Sequence, residues 1–138
     1  MTGPGYLLDT DTVSRYMRGE DPVFNRVQAT LPFHLFISSV TVMELEYGLA
    51  LNPAKARTLR PVLNAFIEAV GLIPFGPTEA RRTALTRARL KALGQPIGPY
   101  DLQIAGTALE HGLILVSSNL REFLKVEGLD CEDWRFTV

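Results

Sequence analysis

Short apolar runs alternate along this chain with longer stretches in which apolar residues recur at helical spacing. The apolar runs predict strands at residues 6–8, 35–37, 72–73 and 113–116. Residues 130–136 are the candidate for a last edge strand. Helical spacing predicts helices at residues 10–17, 21–27, 40–51, 54–70, 78–93 and 99–111, with a single turn at 119–123. Four of the predicted helices stop at or near a glycine, at Gly19, Gly71, Gly94 and Gly112.

The order of these elements indicates the fold class. Strands and helices alternate along most of the chain, which is typical of a mostly parallel sheet covered by helices on both faces. We therefore expect an α/β fold of three layers with a sheet of four to five strands. No internal repeat, low-complexity tract or linker interrupts the 138 residues. One domain spanning residues 1–138 is the expectation.

Four acidic or amide residues occur where predicted strands give way to helices, and they are Asp9, Glu44, Asp101 and Asn119. In a wound α/β fold, the carboxyl ends of the strands form one crevice, so residues distant in sequence meet there. Carboxylates that gather in one crevice repel each other unless a cation neutralises them. Hard oxygen ligands suit Mg²⁺ or Mn²⁺. The pattern therefore favours metal-dependent phosphodiester chemistry.

Each of the three acids also has a purely structural interpretation. Asp9 precedes a predicted helix and is suited to capping it. Thr41 and Glu44 have the spacing of a capping box, which would occupy the Glu44 carboxylate. Asp101 falls in a first helical turn, where a negative charge favours the helix dipole. Taken singly, the structural interpretations are as good as the functional ones, and the sequence leaves both open.

Further polar residues lie near these four. Asp11 is close enough to Asp9 to join the site or to cap the helix in its place. Ser117 follows the clearest strand, where a hydroxyl can orient water or phosphate, or cap the next turn. Glu122 is a weaker candidate for a fourth carboxylate. Glu46, two residues after Glu44, points away from it on a helix and is expected to be solvated.

Composition limits the alternatives. Apolar residues make up 46% of the chain and charged residues 21%, with a net charge of −1, which is ordinary for a globular protein. The lone Cys131 cannot form an internal disulfide, which fits a reducing compartment. His34 and His111 lack the cysteine neighbours of a zinc site. We see no membrane span or signal peptide, and expect a soluble, cytoplasmic protein.

Basic residues concentrate on one predicted helix, at Arg81, Arg82, Arg87, Arg89 and Lys91, and no acid occurs between Glu79 and Asp101. Lys55, Arg57 and Arg60 lie on the preceding helix. A solvated helix face is the simpler interpretation for most of them. A basic ridge beside an acidic crevice would also hold a nucleic-acid backbone while the acids act on one phosphate.

Together these motifs resemble the PIN-domain ribonucleases, and within them the VapC-like toxins of bacterial toxin–antitoxin pairs. The resemblance covers nearly the whole chain. It rests on four segments: Leu7-Leu8-Asp9-Thr10-Asp11, Thr41-Val42-Met43-Glu44-Leu45, Pro99-Tyr100-Asp101-Leu102 and Leu115-Val116-Ser117-Ser118-Asn119. Two positions depart from the family pattern. Ser117 stands where threonine is frequent, and Asn119 stands where many members have a fourth aspartate, which leaves the number of bound metals open.

The resemblance implies a Mg²⁺-dependent endoribonuclease, with Mn²⁺ as a substitute, that acts as the toxin of a pair. Asp9, Glu44 and Asp101 would hold the metal, and Asn119 would complete the catalytic group. It also implies RNA as substrate, a cognate antitoxin and a homodimer. Apolar residues on the early helices are candidates either for an antitoxin groove or simply for the core: Tyr16, Met17, Tyr47 and Leu51.

Three other functions compete with this one. The segment from Asp9 to Val13 fits the opening of haloacid-dehalogenase-type phosphatases, with Asp9 as nucleophile, although that function leaves Glu44 and Asp101 without a role. A receiver-type signalling domain needs an aspartate after its third strand, and residues 72–77 contain none. A degenerate PIN domain that binds RNA or a partner without cleaving has Asn119 as its only support.

Overall fold

The computed structural model describes residues 3–136, and within them five parallel strands form one sheet in the order β3-β2-β1-β4-β5. The strands are β1 (Tyr6–Leu8), β2 (Leu35–Ser38), β3 (Gly71–Ile73), β4 (Ile114–Val116) and β5 (Cys131–Glu132). The helices are α1 (Thr10–Met17), α2 (Val23–Ala29), α3 (Ser39–Leu51), α4 (Pro53–Ala69), α5 (Pro77–Ala92), α6 (Pro99–His111) and α7 (Leu120–Phe123). The predicted α/β class and parallel sheet are confirmed.

The central strand β1 separates two hydrophobic cores. Leu7 and Leu8 are both fully buried, and successive side chains of a strand point to opposite faces. Leu8 packs in a core with residues of α1 to α4, such as Leu63. Leu7 packs in a second core with residues of α5 and α6, such as Ile104. The sheet is therefore the middle of three layers, as the alternating pattern predicts.

Helix boundaries differ from the prediction by a few residues, for local reasons. Helix α3 begins at Ser39 rather than Val40, because the Ser38 hydroxyl accepts a hydrogen bond of 3.0 Å from the Val40 N–H and caps the helix. Helix α2 begins at Val23, two residues later than predicted. The candidate edge strand in residues 130–136 is only the two-residue β5.

Helices α5 and α6 pack closely at Gly106. A Cβ atom at this position would lie 2.0 Å from the Thr83 hydroxyl oxygen and 2.9 Å from the Thr83 Cα atom. Gly106 therefore lets the backbones of the two helices approach. This contact fixes the direction of α6, whose first turn carries Asp101.

Candidate active site

A cleft of about 1040 Å³ lies at the carboxyl edge of the sheet, between α1, α3, α4 and the start of α6. Its lining includes all four residues that the sequence singles out, namely Asp9, Glu44, Asp101 and Asn119. Strand β1 ends directly before Asp9, while Glu44 and Asp101 project from helices. The topology thus brings together side chains that are separated by up to 110 positions in the sequence.

Asp9 is the most buried of these residues, with 5% of its surface exposed. Its Oδ1 atom accepts a hydrogen bond of 2.9 Å from the Thr12 N–H, so it caps α1 while it lines the cleft. Burial raises its pKa to about 6, against the opposing effect of hydrogen bonds from Ser117 and Thr12. The capping and cleft interpretations of Asp9 therefore both hold, and its charge is costly to bury.

Glu44 is oriented by a residue from a different helix. The Thr10 hydroxyl donates to Glu44 Oε1 at 2.5 Å, and it also lies 3.3 Å from the Thr41 hydroxyl. The capping box that the spacing of Thr41 and Glu44 suggests does not form. Ser38 caps α3 instead, and Thr41 is inside the helix. The Glu44 carboxylate is therefore directed toward α1 and the cleft rather than back to its own helix end.

Asp101 is half-buried in the first turn of α6, and its pKa is raised above its ordinary value. Burial is the largest cause and the negative charge of Glu44 is the next, followed by an opposing hydrogen bond from Asn119 and the charge of Glu122. The two carboxylates therefore repel each other across the cleft. The Asn119 side chain forms its hydrogen bond with Asp101. It makes no hydrogen bond that caps α7.

The cleft suits a divalent cation by the kind of atoms that line it, rather than by the way its side chains are arranged. Across the described range 3–136, no three His, Cys, Asp or Glu side chains are placed so that they could surround one ion. The lining of the cleft nevertheless provides hard oxygen donors, which suit Mg²⁺ or Mn²⁺. The raised pKa values of Asp9 and Asp101 also mean that a positive charge in the cleft would relieve unfavourable electrostatics.

The remaining polar candidates have other partners. Asp11 also lines the cleft, but its carboxylate pairs with Arg15 at 2.8 Å. Glu46 pairs with Arg60 on the surface, as its predicted exposure suggests. Glu122 forms an ion pair with Lys125.

His111 has a structural partner that the sequence did not reveal. Its Nε2 atom lies 2.6 Å from Glu79 Oε2, so the end of α6 is tied to the start of α5. Glu79 is buried and also accepts a hydrogen bond from the Gly76 N–H at 3.0 Å. The pair lies outside the lining of the acidic cleft.

The basic ridge of α5 does not line the acidic cleft. Arg82 pairs with Glu110, and Arg89 pairs with Glu127. Two further members, Arg87 and Lys91, border a separate groove between α5 and α6. The cations that do line the acidic cleft are Arg18 and Lys55. Sequence reasoning placed Lys55 on a basic helix but missed Arg18. It also missed the orienting role of Thr10, because the Glu44 carboxylate that Thr10 contacts is 34 residues away in the sequence.

Comparisons with known proteins agree with this fold. The PIN domain family model matches residues 6–129. The tRNA(fMet)-specific endonuclease VapC of Salmonella typhimurium is 38% identical over 130 residues, which are 94% of this chain and 97% of the relative. Ribonuclease VapC2 of Haemophilus influenzae is 33% identical over 130 residues, with the same coverage of both chains.

Solved structures with the same fold are also similar to this chain. DNA-bound VapBC of Salmonella typhimurium superimposes with a TM-score of 0.85 and 34% identity, and the match covers 96% of this chain and 99% of that one. VapBC-5 of Mycobacterium tuberculosis, a member of the VapBC family of toxin–antitoxin systems, superimposes with a TM-score of 0.65 and 25% identity, and the match covers 96% of this chain and 100% of that one. Among the residues described, no helix combines the length and the apolarity that a membrane crossing demands.

Proposed function

Because this chain belongs to the PIN-domain family, and within it to the VapC ribonucleases of toxin–antitoxin pairs, we propose that its acidic cleft hydrolyses RNA phosphodiester bonds with a divalent cation. In this proposal Asp9, Glu44 and Asp101 hold the cation, and Asn119 completes the catalytic group. The ion is Mg²⁺, with Mn²⁺ as a substitute. The observation that supports it is the convergence of these four side chains on one cleft.

The cation, when bound, supplies a water of lowered pKa and stabilises the charge that develops on the phosphate. The residues of the chain supply position. Asp9 offers a carboxylate fixed by the N-terminus of α1, since the Thr12 N–H holds its Oδ1 atom. Glu44 offers a carboxylate that the Thr10 hydroxyl orients toward the cleft. The Asn119 amide is the neutral donor of the group, suited to a phosphate oxygen or a water.

The RNA backbone needs positive charge beside the acids. Arg18 and Lys55 line the same cleft as Asp9 and Glu44, on the α1 and α4 side. Each exposed cation contributes mainly non-specific, salt-sensitive attraction to phosphate. We propose that they hold phosphates next to the one that is cleaved. The first substrate to test is tRNA(fMet), because the name of the Salmonella relative specifies it.

The antitoxin is proposed to cover the α3 side of the cleft. Tyr47 and Leu51 are 63% and 67% exposed, so they are available to a partner. Met17 is buried, and the Tyr16 ring packs against Phe66, so these two belong to the core instead. We also propose that residues 1–138 act as one domain, as a homodimer, in the cytoplasm.

The test is RNA cleavage by the purified protein in Mg²⁺, in Mn²⁺ and in EDTA, beside Asp101→Asn and Glu46→Gln. Glu46 is the control for loss of an acid, because its carboxylate pairs with Arg60 on the surface and does not line the cleft. We expect Asp101→Asn to lose cleavage and Glu46→Gln to keep it. Cleavage in EDTA, or equal cleavage by Asp101→Asn, would overturn the proposal. Hydrolysis of p-nitrophenyl phosphate that only Asp9→Asn abolishes would favour a phosphatase.

A further inference from the structure

The turn formed by Ser117, Ser118 and Asn119 is in contact with two of the proposed metal-holding acids. It follows β4 and leads into α7. The fully buried Ser117 lies against Asp9, and Asn119 lies against Asp101. The Ser117 hydroxyl also accepts a hydrogen bond of 2.9 Å from the Asn119 N–H. One short turn therefore supports two carboxylates that belong to different elements, the end of β1 and the start of α6.

The middle residue of this turn is held from the opposite side. The Ser118 hydroxyl donates to Asp11 Oδ2 at 2.5 Å, and the Arg15 Nε–H donates to the same oxygen at 2.8 Å. The Ser118 carbonyl accepts a hydrogen bond of 3.2 Å from Arg135 Nη2. Arg135 is in turn paired with Asp133, whose side chain is only 9% exposed. Ser118 is thus held through its side chain by α1 and through its backbone by the segment after β5.

A further backbone hydrogen bond joins the turn to the sheet. The Ser117 N–H donates to the Glu132 carbonyl at 2.9 Å, next to the Asp133–Arg135 pair. Arg135 Nε and Nη2 both reach the Asp133 carboxylate, at 3.1 Å to Oδ1 and 2.7 Å to Oδ2, so the guanidinium is fixed before it meets the Ser118 carbonyl. A flexible lysine at this position would make one such contact rather than a planar pair.

We propose that Asp11 and Arg135 are positioning residues that lock the 117–119 turn, so that Ser117 and Asn119 keep Asp9 and Asp101 in place for the cation. This inference rests on the proposed function of the cleft. It assigns a role to Asp11, which lies two residues from Asp9. The Asp11 carboxylate accepts hydrogen bonds from Arg15 and Ser118. Residues that orient metal ligands from behind commonly change metal affinity by 10- to 100-fold when they are replaced.

The simpler interpretation is that both ion pairs are local stabilising contacts. Asp11 and Arg15 are spaced i, i+4 on α1, and Asp133 and Arg135 are two residues apart. Such pairs contribute little to stability when they are exposed. The two interpretations differ at Ser118, which joins both pairs to the turn. Only the positioning role predicts that a change at Ser118 or Arg135 alters the binding of a cation more than it alters the stability of the fold.

The experiment measures Mn²⁺ affinity by calorimetry, together with thermal unfolding and the kcat and KM for RNA. The variants are Ser118→Ala, Arg135→Gln and Arg135→Lys. The control is Arg60→Gln, which removes an exposed pair between α3 and α4. We expect Ser118→Ala and Arg135→Gln to weaken Mn²⁺ binding about 10-fold. We also expect them to lower kcat with little change in KM. Arg135→Lys should restore part of the affinity, and Arg60→Gln should match the wild type.

Two results would overturn the positioning role. The first is that both Ser118→Ala and Arg135→Gln bind Mn²⁺ within twofold of the wild-type affinity. The contacts of Ser118 would then be structural only, whatever the unfolding temperatures of the two variants. The second is that the wild type binds no Mn²⁺, or that Asp101→Asn binds Mn²⁺ as tightly as the wild type. Either outcome would overturn the proposed function and this inference with it. The Asp101→Asn titration therefore separates a failure of the positioning role from a failure of the site.

Discussion

Replacement of Asp9 by asparagine should make the metal-free protein more stable at neutral pH. Asp9 is 5% exposed, and burial raises its pKa from 3.8 to about 6. Each pKa unit corresponds to about 1.4 kcal/mol, so the ionised carboxylate destabilises the fold by up to about 3 kcal/mol at pH 7. Asparagine caps helices as well as aspartate does, so the Thr12 hydrogen bond survives. We expect a gain of about 1–3 kcal/mol for Asp9→Asn.

The pH dependence of this gain follows from the direction of the pKa shift. Because the pKa is raised in the folded state, the folded protein binds a proton more tightly than the unfolded chain does. The stability that comes from this proton is complete below pH 3.8 and is lost as the pH rises through about 6. The advantage of Asp9→Asn should therefore be largest above pH 6 and should vanish near pH 4.

The assay is urea unfolding in EDTA at pH 4.5, 6 and 7.5, with Glu46→Gln as the control for loss of an exposed acid. Addition of Mn²⁺ at pH 7.5 should then stabilise the wild type and not Asp9→Asn, because a ligand that binds only the folded state stabilises it. The reasoning is refuted if Asp9→Asn is less stable than the wild type at pH 7.5, or if its advantage grows as the pH falls.

Three further substitutions test other parts of the structure. Glu79→Gln should cost about 1–3 kcal/mol at pH 7. Its hydrogen bond with His111 lowers the pKa of Glu79 from 4.5 to about 2, so the cost should fade between pH 4.5 and 2 in urea unfolding. Gly106→Ala should cost about 1–3 kcal/mol in thermal unfolding, because its Cβ would lie 2.0 Å from a threonine oxygen of α5. Thr10→Val should lower kcat for RNA about 10-fold with the fold intact, since it removes the hydroxyl that orients Glu44.

For each of these three substitutions, one result would contradict the prediction. A Glu79→Gln protein with wild-type stability at pH 7 would mean that the pair with His111 contributes nothing. Gly48→Ala is the control for Gly106→Ala, because no atom lies within 4 Å of a Cβ there and a helical alanine is favoured by about 1 kcal/mol. Equal unfolding temperatures for the two glycine variants would contradict the close α5–α6 contact. Unchanged kcat in Thr10→Val would remove Thr10 from the site.

The fold was largely predictable because its signals are local. Apolar runs such as 113–116 and helical spacing such as that of α4 depend on neighbouring residues, and the alternation of strand and helix is enough to predict a parallel sheet. The convergence of Asp9, Glu44 and Asp101 was also predictable, since parallel strands end at one edge. The helix boundaries were less predictable, because a capping residue such as Ser38 shifts the start of a helix by one residue.

The parts of the site that the sequence did not reveal depend on contacts between distant residues. The spacing of Thr41 and Glu44 suggests a capping box, but Glu44 instead receives a hydrogen bond from Thr10, 34 residues away. The basic residues of α5 look like a binding ridge in the sequence, whereas packing turns them away from the acidic cleft. The contact of Ser118 with Arg135 is likewise a product of the sheet order, which places β5 beside β4.

The central claim is that the cleft of Asp9, Glu44 and Asp101 binds a divalent cation and uses it to cut RNA. The most direct measurement follows cleavage of tRNA(fMet) and Mn²⁺ binding in the same preparations of wild type and Asp101→Asn. The account predicts that the wild type binds Mn²⁺ and cleaves, that EDTA stops cleavage, and that folded Asp101→Asn loses both activities. Mn²⁺ binding and RNA cleavage that persist unchanged in Asp101→Asn would contradict it.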